Sequence, residues 1–337
     1  MIYPWQIDIK NRLFQAKKTG RLAHAYLFSG PSGMGKQAFV CDFSKSLLCQ
    51  APKAEGSACL TCQSCRLFDS KAHPDFYLIE PEESSRAIKI DQVRALASYS
   101  QQTAQYQGYK IILMVPADSM NVASSNALLK TLEEPEKNTL LFLIAQDPAR
   151  LPRTVRSRCQ EISFHTPKEA EWLGWLENEP SYQAAPINPQ LLMNWSQGAP
   201  LEALRLLESK EYEKRQTWFS VFYQWTQKKI GLMECVKPLD KDAIPRFLFH
   251  LSSWVSDVLR SSSGGQRDQM INADLYDALK MVRPKGELMN AFQYWYELEQ
   301  AKRWMTSSSN LNAVLLLESC LIEFRKVFLT GSLHSRG

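Results

Sequence analysis

Nothing in this sequence is apolar for long enough to cross a bilayer. The longest apolar runs, such as Leu140 to Ala145, fall far short of the roughly 18 residues a spanning helix needs. The opening stretch MIYPWQIDIKNRL lacks the apolar centre of a secretory signal and carries Asp8, so no export signal is expected. There is little excess of either charge: 40 Lys and Arg oppose 35 Asp and Glu, a net of +5. That balance permits contact with nucleic acid without arguing for it, because a dedicated binder concentrates its basic residues. No internal repeat is visible. Eight cysteines without an export signal point to reduced thiols or a metal, not to a disulfide framework. The expectation is a cytoplasmic protein. Apolar and charged contents of 45% and 22% are ordinary for globular chains, and 337 residues exceed one typical core, so two or three domains are expected.

The first half alternates short β-rich runs with helical periods, the pattern of a parallel α/β sheet. Strands are predicted at Ala25 to Ser29, Phe76 to Glu80, Lys110 to Val115, Leu140 to Ala145 and Glu161 to Phe164. The last three read as runs buried on both faces. Lys36 to Leu48 is predicted helical, with Phe39, Phe43 and Leu47 recurring every fourth residue. Asn121 to Glu134 is a second helix, stopped by Pro135. Beyond His165 no strand is expected. Residues 166–207 form a short helical unit, and from about Ser209 the chain is helical to its end. There Val314, Leu317, Leu321, Phe324 and Phe328 make one apolar stripe. The stripe fits either an intramolecular core or a seam between subunits. Ser261 to Gln269 reads as a loop.

Gly30 to Gln37 spells GPSGMGKQ, a phosphate-binding loop complete except in its last position. The glycines let backbone N–H groups cradle phosphate, the Lys reaches the terminal phosphates, and a Ser or Thr hydroxyl ligates Mg²⁺. Gln37 stands where that hydroxyl is needed. A working enzyme also needs carboxylates at the end of a neighbouring strand. Here the strand runs out in Val115, Pro116 and Ala117, and Asp118 comes beyond the proline. Gly30, Gly33, Gly35 and Lys36 remain, so nucleotide held without turnover and a loop kept for its fold both stay open.

Cys59, Cys62 and Cys65 form C-x₂-C-x₂-C, with Cys49 ten residues upstream of the first. Two-residue spacers let thiolates converge on one tetrahedral ion, and four thiolates make a closed structural zinc site. Cys41 is an alternative to Cys49, His73 a further donor, and a set of reduced surface cysteines the competing reading. An iron–sulfur run needs a fourth cysteine where Asp69 stands. Cys159, Cys235 and Cys320 are expected to be apolar fillers. Arg150 to Arg158 reads RLPRTVRSR, four arginines and no acid. It fits a solvated basic face, or a guanidinium offered to a phosphate in trans.

AHAYLFSGPSGMGK, the ten residues NALLKTLEEP (Asn126 to Pro135) and the tripeptide Ser157-Arg158-Cys159 together resemble the clamp-loader branch of the AAA+ ATPases. So do Tyr3-Pro4-Trp5, the Cys49-to-Cys65 spacing and His73-Pro74-Asp75. The likeness is dense over residues 1 to about 165 and architectural afterwards. It implies a RecA-like α/β domain (1–165) with a zinc-binding insertion (49–65), a small helical lid (166–207) and an all-helical collar (208–337). It further implies a non-hydrolysing member of a five-membered ring. That ring would contain ATPase subunits of the gamma/tau type and a delta subunit, and would load the beta sliding clamp onto primed DNA. Arg158, within the motif Ser157–Cys159, would reach a neighbour's ATP. Leu201 occupies the slot where active members carry a lid arginine. Two alternatives stand beside this reading: an active gamma/tau-like ATPase, against which Gln37, Val115, Pro116 and Leu201 speak, and a zinc-dependent DNA-binding module. The latter calls for a basic, aromatic-rich face, whereas the cysteine loop carries only Arg66 and Phe68.

Overall fold

Five short β-rich runs become strands: β1 (Ala25–Ser29), β2 (Phe76–Ile79), β3 (Lys110–Met114), β4 (Thr139–Ala145) and β5 (Gln160–Ser163). The computed structural model describes residues 2–82, 85, 87–106, 108–184, 187–307 and 312–330. All strand pairs are parallel, in the order β2-β3-β4-β1-β5. Strands β3, β4 and β1 are buried along their whole length, which is why they read as unbroken apolar runs. β5 departs from that expectation. Among the described residues it pairs with β1 alone, so as an edge strand it leaves Gln160 and Glu161 exposed and buries Ile162.

Helices α1 (Ile7–Lys18), α2 (Lys36–Leu48), α3 (Gln63–Asp69), α4 (Ile90–Ser100), α5 (Val122–Glu133), the single turn α6 (Arg153–Arg156) and α7 (Glu169–Leu176) complete this part. The alternation of side chains along the strands divides the apolar core between the two faces of the sheet. Tyr26, Phe28 and Phe142 pack with Phe39 and Phe43 of α2. Leu27, Ile112 and Leu143 pack with Leu128 and Leu132 of α5 and Val155 of α6. Each such fully buried apolar side chain contributes about 1.5–3 kcal/mol by leaving water. Asn121 caps α5 by accepting from the Ser124 N–H at 2.8 Å. Glu134 leaves helical geometry at φ −122°, ψ 69°, as a residue before proline must.

The chain divides into two compact units, Met1–Glu177 with Ala199–Glu202, and Asn178–Gly198 with Ala203–Gly337. The second holds α8 (Pro180–Ala184), α9 (Pro189–Trp195), most of α10 (Pro200–Glu208), α11 (Glu211–Thr226), α12 (Leu232–Val236), α13 (Ile244–Ser262), α14 (Tyr276–Met281), α15 (Leu288–Ser307) and α16 (Ala313–Phe324). A π-helical turn, Arg325–Thr330, follows α16. The terminal stripe is intramolecular: Leu317, Leu321, Phe324 and Phe328 are buried with Phe222, Phe247 and Trp254. Ser261 and Ser262 extend α13 instead of starting a loop, and the chain turns at Gly264, φ +91°. Burial raises the Glu211 pKa, but a hydrogen bond from His250 and the Arg205 guanidinium more than offset it and carry it down to about 2. The His250 Nε2–H (3.2 Å) and Arg205 (2.7 Å) both donate to this carboxylate, which ties α10 and α11 to α13.

Candidate functional site

Strand β1 delivers the chain into the glycine loop at its carboxyl end, where ligands of open α/β sheets bind. Gly30 sits at φ +134°, and a Cβ there would lie 2.3 Å from the Phe164 carbonyl oxygen. Only glycine fits this approach of loop to β5. Gly35, at φ +75°, opens α2. Gly30, Gly33, Gly35 and Lys36 thus lie together at the N-terminus of α2, the place a phosphate cradle would occupy. The Lys36 ammonium is buried and donates to the Gly30 and Pro31 carbonyls, both at 2.6 Å. Burial lowers its pKa to about 8, against the opposing pull of Asp118.

A cavity of about 540 Å³ opens on this loop, lined among others by Gly33, Lys36, Gln37, Val115, Pro116 and Leu201. None of its described lining residues is acidic. The Gln37 amide turns aside and donates to Glu80 Oε1 at 3.2 Å, so position 37 offers no hydroxyl to a metal. The Leu201 N–H donates to the Gly33 carbonyl at 3.0 Å, which puts an apolar side chain beside the loop. The Trp5 and Gln6 side chains both donate to the Met34 carbonyl, at 3.1 and 2.9 Å. Asp118 behaves differently from a residue carried away by the proline. It is buried in the turn Ala117–Ser119, and its Oδ2 accepts from the backbone N–H groups of Gln146 and Asp147. Its charge reaches Lys36, but those hydrogen bonds hold the carboxylate to the end of β4.

The four cysteines converge. The Sγ atoms of Cys49, Cys59, Cys62 and Cys65 all lie within 4.8 Å of one another, with Cys49–Cys62 and Cys59–Cys65 at 3.9 Å. A tetrahedral ion with bonds of about 2.3 Å separates its sulfurs by roughly 3.8 Å. Backbone N–H groups of Thr61 and Cys62 donate to Cys59 Sγ, and these bonds pull its pKa down to about 5. Four sulfurs converging at this separation fit zinc. Cys49, Cys59, Cys62 and Cys65 would hold the ion, which would supply a cross-link and no chemistry. Apart from the thiols, the local core is Ala58.

The other candidate donors lie elsewhere. Cys41 lines the cavity at the phosphate loop. The buried His73 accepts from the Asp75 N–H at Nδ1 (3.0 Å) and bonds through Nε2 to Ser64 Oγ (2.8 Å), which itself donates to the Leu48 carbonyl. His73 therefore braces α2 against α3 and is no ligand. Cys159, Cys235 and Cys320 pack against apolar clusters, as fillers do.

Arg158 follows α6 directly, before β5, with its side chain 36% exposed. Its guanidinium donates to Glu133 Oε1 at 2.7 Å and to the Thr154 carbonyl at 2.9 Å. Ser157 is exposed beside it, whereas Cys159 turns inward. Arg153 is exposed and Arg156 half-buried, so the basic run is not one uniform solvated face. Motif reading gives no role to Glu80 and Glu133, which lie against Gln37 and Arg158, and sets aside Asp118, whose charge acts on Lys36. Glu80 and Asp118 lie at strand ends outside the loop pattern, and Glu133 lies inside the helix signature without a role attached.

A glycine loop at the carboxyl end of β1, in a parallel sheet ordered 2-3-4-1-5 and flanked by helices, is the arrangement of a P-loop α/β fold. The family description "DNA polymerase III, delta subunit" matches residues 5–168, and its C-terminal counterpart matches 189–326. The chain belongs to the family of DNA polymerase III subunit delta′. It is 35% identical to the Pseudomonas aeruginosa subunit delta′ over 96% of this chain and 97% of that one. It is also 30% identical to the Escherichia coli subunit delta′, over 81% and 80%. The E. coli subunit tau is 33% identical over 60% of this chain and 31% of its own length. Among solved structures, a gamma-subunit-related protein of Thermotoga maritima matches with a TM-score of 0.44 at 16% identity, over 96% of this chain and 99% of that chain. No helix among the described residues is long and apolar enough to cross a membrane.

Proposed function

We propose that this chain is the catalytically silent delta′ subunit of a clamp loader. In this reading it joins gamma/tau-type ATPase subunits and a delta subunit in a five-membered ring that loads the beta clamp onto primed DNA. The observation that carries the reading is the contrast between its two phosphate-directed features. The glycine cradle has an amide, a proline and a leucine where metal and γ-phosphate ligands are needed, while Arg158 stays on the surface. Arg158 then completes a neighbour's ATP site, with Ser157 and Cys159 fixing its place at the sheet edge. Cys49, Cys59, Cys62 and Cys65 hold one structural zinc.

The division of the helical part into a lid (166–207) and a collar (208–337) belongs to the same proposal. The α15 face carrying Met289, Phe292 and Tyr296, exposed at 72%, 43% and 56%, supports a collar that packs against other subunits. These residues repeat at i, i+3 and i+7, so they share one side of the helix. The experiment is reconstitution with the gamma/tau and delta subunits, the beta clamp and primed DNA. The wild-type chain should complete a stoichiometric complex that loads clamps. A Phe292→Asp, Tyr296→Asp double variant should keep its fold and zinc but fail to co-purify. Wild-type stoichiometry from that variant would remove α15 from the assembly surface; clamp loading undiminished without the chain would remove the proposed function.

A further inference from the structure

Glu133 and Glu134 stand at the carboxyl end of α5, where exposed helix carbonyls disfavour negative charge. A helix built only for stability favours cations there. Lys130 supplies one cation from the last turn of α5 itself, and a second comes from outside: the Arg158 guanidinium lies against the Glu133 carboxylate at 2.7 Å. Its second anchor is the Thr154 carbonyl in α6. The two anchors do not drift, because Leu132 of α5 and Val155 of α6 are buried in one apolar cluster. Both charged side chains remain partly exposed, at 36% and 50%, so the pair adds little to folding stability. What it does is fix the direction of a long side chain that has many rotamers. A guanidinium carries five N–H donors in a planar fork, more than Glu133 and Thr154 need, and phosphate oxygens can take others.

We infer that Glu133 is a positioning residue for Arg158: it holds the guanidinium at the carboxyl end of α5, ready for a phosphate group of a neighbouring subunit. The inference rests on Arg158 acting in trans. It also gives the acidic end of the helix a task, since pre-orienting a charged group saves reorganisation when the phosphate arrives.

The test uses the reconstituted clamp loader with beta clamp and primed DNA, comparing Glu133→Gln, Glu133→Asp, Arg158→Ala and the Glu133→Gln, Arg158→Ala double variant. Glu133→Gln should assemble normally and lower kcat for ATP by about tenfold with KM little changed, within the ~10²-fold that misplacement of a reacting group can cost. Glu133→Asp should restore part of the rate. The double variant should be no slower than Arg158→Ala alone, because the two residues act as one unit. Losses that simply multiply in the double variant, or full turnover in Glu133→Gln while Arg158→Ala is slow, would overturn the positioning role. Full turnover in Arg158→Ala would instead overturn the trans-acting arginine, and the inference with it.

Discussion

Replacing Arg158 by alanine is expected to leave the ring assembled and to depress its DNA- and clamp-stimulated ATPase, with clamp loading impaired in step. Trans-acting arginines contribute roughly 10³–10⁵-fold to turnover where one site is measured alone. A ring with further intact sites should show a smaller total loss. Arg158→Lys should rescue poorly: an ammonium is a point charge and cannot offer the planar, two-pronged contact of a guanidinium. Arg153→Ala and Arg156→Ala serve as controls. Arg153 is exposed without the Glu133 tether, and Arg156 is half-buried, so neither should match the effect. The measurement is steady-state ATP hydrolysis of the reconstituted complex at saturating clamp and primed DNA. Equal losses from all three substitutions would reduce the arginine run to a general basic surface.

The second large effect concerns the metal. One zinc per chain is expected, and Cys62→Ala should release it. Zinc held by four thiolates in small domains contributes on the order of 10–16 kcal/mol at neutral pH, far more than the segment between Cys49 and Cys65 can obtain from Ala58 and the cysteines. That segment should therefore loosen when the ion leaves. The sheet should stay folded, because its two apolar clusters share no residue with the cysteine cluster. Metal analysis of anaerobically purified protein, with proteolysis across residues 49–65, reads both effects. Iron in place of zinc, an absence of metal, or a sheet that melts with the loop would contradict this account.

How far these features were legible in the sequence depends on the range of the interaction. Strands β1, β3 and β4 and helices α2 and α5 could be placed to within a residue because burial on both faces, or one apolar period, leaves a local signature. The edge position of β5 could not be read: Ile162 and Phe164 look central until the strand order puts β5 last, beside β1. The four thiols, Cys49 among them, were legible from their spacing, and the structure removes Cys41 as the competing fourth ligand. Both lie in α2 or at its end, and only the fold sends Cys41 to the phosphate loop. Likewise His73 is near the cysteines in sequence, yet its ring nitrogens are committed to Ser64 and Asp75. Sequence reasoning sets Asp118 aside as lying beyond the proline and gives Glu133 no role, for one shared reason. Each acts on a residue distant in sequence, Lys36 or Arg158, and no spacing rule links them.

The central claim is that this P-loop subunit acts on its neighbours' ATP and hydrolyses none itself. Its most direct test is the steady-state ATPase of the isolated, zinc-loaded chain with Mg²⁺, alongside its Gln37→Thr variant. Both should remain at background. Restoring the hydroxyl alone leaves Val115 and Pro116 at the end of β3 and Leu201 beside the loop, and positioning cannot replace the missing neutralisation of charge on the transferred phosphoryl group. Background rates from both proteins are the predicted result; turnover by the wild-type chain of even about 1 per second, the low end for enzymes, would contradict it.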